Sequence, residues 1–173
     1  MDIREILHIK TGGHWLVTPS TDKTIFCREM FSEEHNDIKK MIFQFSEDRI
    51  FPNVQNIEKL DEDLCRSIMR EMGELGLIGI DTPEEFGGTD LDKITACLIT
   101  EGVGWGGSSS FGCIFGVQTG IGSLGIVFFG TPEQKKKYLP KLITGEWIAA
   151  YGLTEPSAGS NDLSAKTTAF PSD

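Results

Sequence analysis

The stretch that decides the fold reads WIAAYGLTEPSAGSND and occupies positions 147–162. Its first half is a short apolar run bounded by turn residues, which predicts a buried strand. Its second half supplies a rigid proline, a glycine that allows close backbone approach, and the hydroxyl groups of Thr154, Ser157 and Ser160. Hydroxyl donors beside exposed amides suit a polar ligand such as a pyrophosphate. A ligand-binding turn and an ordinary structural Pro-Gly turn both fit this composition.

Upstream of this stretch, apolar residues recur at helical spacing. Ser32 precedes an acidic first turn and is typical of a helix N-cap, and Gly76 follows an apolar stripe and is typical of a helix end. These patterns predict amphipathic helices at about 32–45 and 61–75, and a third from Leu91 to a glycine-rich break at 102–107.

A further helix is predicted after Gly130. Thr131, Pro132 and Gln134 have the order of a capping box with proline at the first helical position. Because the helical spacing stops at Gly145, we place a domain boundary near Glu146. The predicted fold is mainly α, with an irregular arm at 1–30, a helical domain at 31–146 and the start of an incomplete β domain at 147–173.

The apolar run at 111–129 has three interpretations. GIGSLG at 120–125 matches the dinucleotide pattern GxGxxG, but the helix predicted at Thr131 begins too soon for that fold. The length and the glycines at four-residue spacing also fit a membrane helix. Because Gln118 and Thr119 lie at its centre and the neighbouring segments are amphipathic, we favour a buried helix with a glycine face.

Composition narrows the classes of function. The 173 residues carry 16 basic and 26 acidic side chains, a net charge of -10, which argues against a nucleic-acid surface. The four cysteines form no CxxC pair, so no metal site is predicted. The first residues include acids and lack a secretory pattern, so we expect a cytoplasmic protein with reduced thiols.

Three motifs in one order resemble the acyl-CoA dehydrogenases. YGLTEPSAGSND at 151–162 is similar to the flavin-binding signature of that family. LGLIGI at 75–80 with PEEFGG at 83–88 resembles its helix-to-loop passage. FFGTPEQK at 128–135 is the third match. The resemblance covers roughly residues 31–173.

This resemblance implies an FAD-dependent enzyme that converts acyl-CoA thioesters to trans-2-enoyl-CoA. It implies that Thr154 hydrogen-bonds the pyrimidine side of the flavin, and that Ser160 lies near the flavin pyrophosphate and the acyl-CoA thioester arm. The cofactor-binding residues implied in this way are Tyr151, Gly152, Leu153, Thr154, Gly159 and Ser160, and Ser160 is also the implied substrate contact.

The resemblance also implies that these residues do not include the catalytic base. In the family the catalytic glutamate comes from a later helical domain, so the base is expected beyond Asp173 and this chain is expected to be an inactive amino-terminal part. For the complete enzyme, the implied partners are acyl-CoA, an electron-transfer flavoprotein and further copies in a homo-oligomer, without nucleic acid or membrane. Two alternatives stay open: a non-catalytic acyl-binding or interaction module, and a membrane-associated protein using 111–129.

Overall fold

The protein is described by a computed structural model over residues Arg28–Phe170. The chain divides into two compact units, Met1–Asp37 and Ile38–Asp173. The first unit contains a 3-10 turn at Arg28–Met30 and the first turn of a helix capped by Ser32, whose hydroxyl accepts from the His35 N–H at 3.1 Å. The predicted arm at 1–30 lies outside the described residues except for this turn.

The described residues are mainly helical, which confirms the predicted fold class. The α-helices are α1 (Glu33–Phe45), α2 (Val54–Ile57), α3 (Glu62–Glu74), α4 (Lys93–Trp105), α5 (Ser109–Thr119), α6 (Leu124–Phe129) and α7 (Pro132–Ile143). Single turns of 3-10 helix lie at Phe51–Asn53, Glu84–Phe86 and Asp162–Ser164, and a π-turn lies at Ser46–Ile50.

The predicted helix starts are confirmed by their caps. Asp61 accepts from the Leu64 N–H at the start of α3, and Thr131 and Gln134 form a reciprocal capping box at the start of α7. At its end, α7 is followed by Gly145 with φ +69°, a conformation that favours glycine. A Cβ on Gly145 would also lie 2.7 Å from the Met69 carbonyl oxygen, so this turn packs directly on α3.

Two core clusters hold the second unit together. The larger one contains Ile42 of α1, Ile68 of α3, Ile99 of α4 and Phe111 of α5, all essentially buried. The smaller one joins Phe86, Val127 and Leu139. The apolar stripes predicted from helical spacing therefore face these clusters, because side chains three or four positions apart share one face of a helix.

The predicted glycine-rich break at 102–107 begins later than expected. Helix α4 continues through Gly102 and ends at Trp105, and the left-handed turn follows at Gly107 with φ +77°. Gly102 is needed for packing, since a Cβ there would lie 2.6 Å from the side chain of Ile42. Glycine at this position lets α1 and α4 approach each other closely.

The prediction of one buried helix with a glycine face at 111–129 is wrong in three respects. Gly120 leaves the helical region with φ −105° and ψ −108°, so the run divides into α5 and α6. The apolar window of the segment Ser109–Phe129, with a mean hydropathy of 1.6, is long and apolar enough to cross a membrane, and only 28% of it is buried within the protein. The predicted glycine face also lacks a neighbour, because Cβ atoms at Gly112 and Gly116 would meet no described atom within 4 Å.

The predicted strand at 147–153 is not formed. Within Arg28–Phe170 the only strand-like pairing is a single bridge between Glu155 and Ala158. A strand exists only when its backbone groups pair with a neighbouring strand, and in the described part of the chain none lies beside this segment. Its start is instead held by the side chain of Gln118.

Candidate functional site

One buried glutamine attaches the 147–162 segment to the helices. Gln118 near the end of α5 is fully buried. Its amide donates to the Leu142 carbonyl at 2.7 Å and to the Trp147 carbonyl at 2.9 Å. Its side-chain oxygen accepts from the Ala149 backbone N–H at 2.7 Å. A single side chain therefore fixes both the end of α7 and the first residues of the segment.

Packing around Gln118 reinforces this attachment. Ile148 packs against the larger core cluster, and a Cβ on Gly122 would lie 2.5 Å from the Ala149 side chain. The Lys141 ammonium lies 4.6 Å from the centre of the Trp147 ring, which it faces in a cation–π contact. These contacts fix the place beside α5 and α7 at which the 147–162 segment begins.

Beyond this anchor the candidate cofactor-binding residues are exposed. Tyr151 is 53% exposed and Leu153 is 42% exposed. The other candidates that are exposed are Gly152, Thr154, Gly159 and Ser160. A Cβ on Gly159 would meet no described atom within 4 Å. Within Arg28–Phe170 neither the Thr154 nor the Ser160 hydroxyl makes a hydrogen bond, so both remain available to a ligand.

Glu155 organises the turn between these candidates. Its backbone exchanges two hydrogen bonds of 3.0 Å with Ala158, which is buried. Its carboxylate accepts from the Thr167 hydroxyl and N–H and from the Lys166 N–H. The Thr167 hydroxyl, followed by the Lys166 N–H, holds the pKa of Glu155 below its ordinary value. The two halves of the motif thus differ in role: Glu155 bonds within the loop, and Thr154 and Ser160 face outward.

Two cavities lie elsewhere on the described surface. One of about 270 Å³ lies between α3 and α5, and the other, of about 230 Å³, lies between α6 and α7. The first is lined by Ile57, Leu60, Glu62, Cys65, Arg66, Met69, Ile114 and Ile148. None of the six candidate cofactor-binding residues lines either cavity. Ile148 is the link between the first cavity and the anchored segment.

Comparison with known proteins identifies the family to which the helical body belongs. The sequence profile described as acyl-CoA dehydrogenase, N-terminal domain, matches residues 32–146. The chain belongs to the acyl-CoA dehydrogenase family. A probable acyl-CoA dehydrogenase of Bacillus subtilis is 47% identical over 161 residues, which are 93% of this chain and 27% of that protein. The very long-chain specific acyl-CoA dehydrogenase of Bos taurus is 41% identical over 126 residues, or 72% of this chain and 19% of that protein.

A solved member of the acyl-CoA dehydrogenase family has the same fold. The crystal structure of an acyl-CoA dehydrogenase complexed with FAD from Bacillus anthracis superposes with a TM-score of 0.84 at 46% identity. The match covers 90% of this chain and 26% of that protein. The chain therefore spans about a quarter of the length of these bacterial relatives and corresponds to their amino-terminal part.

Two residues of this acyl-CoA dehydrogenase chain were missed by sequence reasoning. Gln118 stood out only as a polar side chain in an apolar run, and such a residue is often a buried hydrogen-bonding group. In the sequence, Glu155 is distinguished only by its place in the motif at 151–162. No periodic signal points to it, because its partners lie 11 and 12 positions further along the chain.

Proposed function

We propose that this chain is the amino-terminal part of an FAD-dependent acyl-CoA dehydrogenase that forms trans-2-enoyl-CoA from acyl-CoA. The observation that supports this most directly is the outward-facing YGLTEPSAGS segment, anchored by Gln118 on a helical body that matches the FAD-complexed B. anthracis protein. Its donor set fits a flavin, since the Thr154 and Ser160 hydroxyls and the open backbone at Gly159 are all accessible.

In this proposal each candidate residue binds or orients a ligand. Tyr151, Gly152 and Leu153 would hold the flavin ring, and the Thr154 hydroxyl would bond its pyrimidine side. Gly159 and Ser160 would hold the pyrophosphate, and Ser160 would also contact the thioester arm of acyl-CoA. Bound FAD would supply the hydride acceptor for this oxidation. The complete protein would then pass the electrons to an electron-transfer flavoprotein and assemble as a homo-oligomer.

The proposal assigns the base that removes the substrate α-proton to a glutamate outside these 173 residues. We therefore expect the chain alone to be inactive. The test is to incubate the purified chain with acyl-CoA, FAD and an artificial electron acceptor. Formation of enoyl-CoA would contradict this part of the proposal. A cytoplasmic location stays a prediction.

A chimera tests the cofactor assignment directly. In it, this chain replaces the matched amino-terminal part of the B. anthracis protein. We expect the chimera to retain flavin absorption after gel filtration, and Thr154→Ala to weaken FAD binding about 2- to 10-fold, the loss of one hydrogen bond. A chimera that folds but never retains flavin would overturn the assignment and favour a non-catalytic module.

The membrane alternative rests on the apolar segment Ser109–Phe129. Against it, Gly120 interrupts the helix, and Gln118 bonds to the Leu142 and Trp147 carbonyls of the helical body. We infer that α5 and α6 belong to this body and do not cross a membrane. Recovery of the expressed chain in membranes after a carbonate wash would contradict that inference.

A further inference from the structure

The carboxylate of Glu155 joins two parts of the chain that are separated by the exposed loop. Its Oε1 accepts from the Ser157 hydroxyl at 3.2 Å and from the Lys166 N–H at 2.6 Å. Its Oε2 accepts from the Thr167 N–H at 3.0 Å and from the Thr167 hydroxyl at 2.6 Å. Because all four partners donate to the carboxylate, the side chain at position 155 must accept hydrogen bonds at both of its terminal atoms.

The backbone of Glu155 closes the other side of the same loop. Its N–H and carbonyl pair with the carbonyl and N–H of Ala158. One residue thus holds the start of the loop at Ala158 and its end at Lys166. Gly159 and Ser160 lie between these two points, and a turn at Asp162–Ser164 completes the loop. The position of Ser160 therefore depends on a residue whose carboxylate bonds within the loop.

We propose that Glu155 is a positioning residue, whose carboxylate holds the 158–166 loop in the shape that presents Gly159 and Ser160 to the cofactor. This inference rests on the proposed function, because the ligand of the loop is the proposed FAD. The hydrogen bonds from Ser157, Lys166 and Thr167 to the Glu155 carboxylate, called the clamp below, do not depend on the proposed function. They are tested separately.

The chemistry demands a carboxylate rather than an amide of the same shape. Each oxygen of Glu155 faces one backbone N–H, and backbone N–H groups cannot turn away as hydroxyls do. In Glu155→Gln the new NH₂ group must therefore face a backbone N–H donor, and the hydrogen bond to that N–H is lost. Glu155→Asp keeps both acceptors on a shorter stem and should restore part of the clamp.

The experiment first measures the clamp in the chain itself. Amide hydrogen exchange is followed at Lys166 and Thr167 in the unmodified chain, in Glu155→Gln and in Glu155→Asp. Glu74→Gln, an exposed carboxylate at the end of α3, is the control for the change in charge. We expect faster exchange at both amides in Glu155→Gln, partial recovery in Glu155→Asp and no change in the control. Equal exchange in all proteins would overturn the proposal.

The second measurement is FAD affinity in the chimera with the B. anthracis protein. We expect Glu155→Gln to weaken FAD binding about tenfold, as expected for losing a hydrogen bond to a charged group, while the thermal midpoint of the helical body stays unchanged. Loss of amide protection with unchanged FAD affinity and flavin spectrum would overturn the positioning role. If the unmodified chimera bound no FAD, the proposed function would fail. The amide exchange data would then still show whether Glu155 holds the loop.

Discussion

The side-chain oxygen of Gln118 accepts a hydrogen bond from the backbone N–H of Ala149 at 2.7 Å, across 31 positions of sequence. The same side chain donates to two carbonyls, at Leu142 and Trp147. The side chain is fully buried, and all three of its hydrogen bonds go to backbone groups. This contact determines where the family motif leaves the helical body.

Replacing Gln118 should therefore be costly. In Gln118→Leu, the hydrogen bonds to the Leu142 and Trp147 carbonyls and from the Ala149 N–H are lost, and we expect a loss of about 1–3 kcal/mol in the free energy of unfolding. Urea denaturation measures it. Gln55→Leu, at an exposed position of α2, is the matched control and should change stability by less than about 0.5 kcal/mol. Equal stability of the two variants would show that Gln118 is not the anchor.

Two glycines of α4 should respond in opposite ways to alanine. A Cβ at Gly102 would lie 2.6 Å from Ile42, so Gly102→Ala should lower the free energy of unfolding by about 1–3 kcal/mol through overpacking. A Cβ at Gly104 meets no described atom within 4 Å, so Gly104→Ala should raise it by about 0.5–1 kcal/mol through helix propensity. Thermal or urea unfolding of both variants is the check, and a stabilised Gly102→Ala protein would contradict the close packing of α1 and α4.

Glu58 should give the protein a pH-dependent contribution to stability. Its carboxylate accepts from the Ser110 hydroxyl and from the Ser108 hydroxyl, each at 2.7 Å, at the start of α5. These bonds, that of Ser110 first, hold the pKa of Glu58 below the ordinary value of 4.5. A lowered pKa stabilises the folded state above the ordinary value, and the effect is lost as the pH falls through the lowered pKa.

The measurement compares thermal midpoints of the unmodified chain and Glu58→Gln between pH 7 and pH 3. We expect the unmodified chain to be more stable at pH 7 and the difference to shrink below about pH 4.5, the ordinary glutamate value. Glu74→Gln, which is exposed, controls for the loss of one charge. A difference that stays constant over this range would exclude ionised Glu58 as the source.

The Arg49 guanidinium and the Glu71 carboxylate form a two-point ion pair between the π-turn and α3. The hydrogen bond from Arg49 is the main cause that holds the pKa of Glu71 below its ordinary value. Since both side chains are about a third exposed, we expect a coupling energy of only about 0.5–1 kcal/mol. A double-mutant cycle of Arg49→Met and Glu71→Gln measures it, and a value near zero would mean that solvent screens the pair fully.

Helix starts could be predicted from sequence, and the path of the polar motif could not. The caps at Asp61 and Thr131 involve residues three positions apart, so local pattern suffices to predict them. The apolar run WIAAYGL has the pattern of a strand, but a strand needs a neighbour, and among residues 28–170 none lies beside it. Likewise Gln118 and Glu155 could not be assigned, because each acts on backbone groups far away in the sequence.

The sequence by itself determined the helical body and the family, because helical spacing, caps and motifs depend on residues within a few turns of one another. Only the tertiary structure decided how Gln118 holds the end of α7 and the start of the motif, and how Glu155 closes its loop. The physical reason is that buried or clustered donors must find acceptors in space, whatever their separation along the chain.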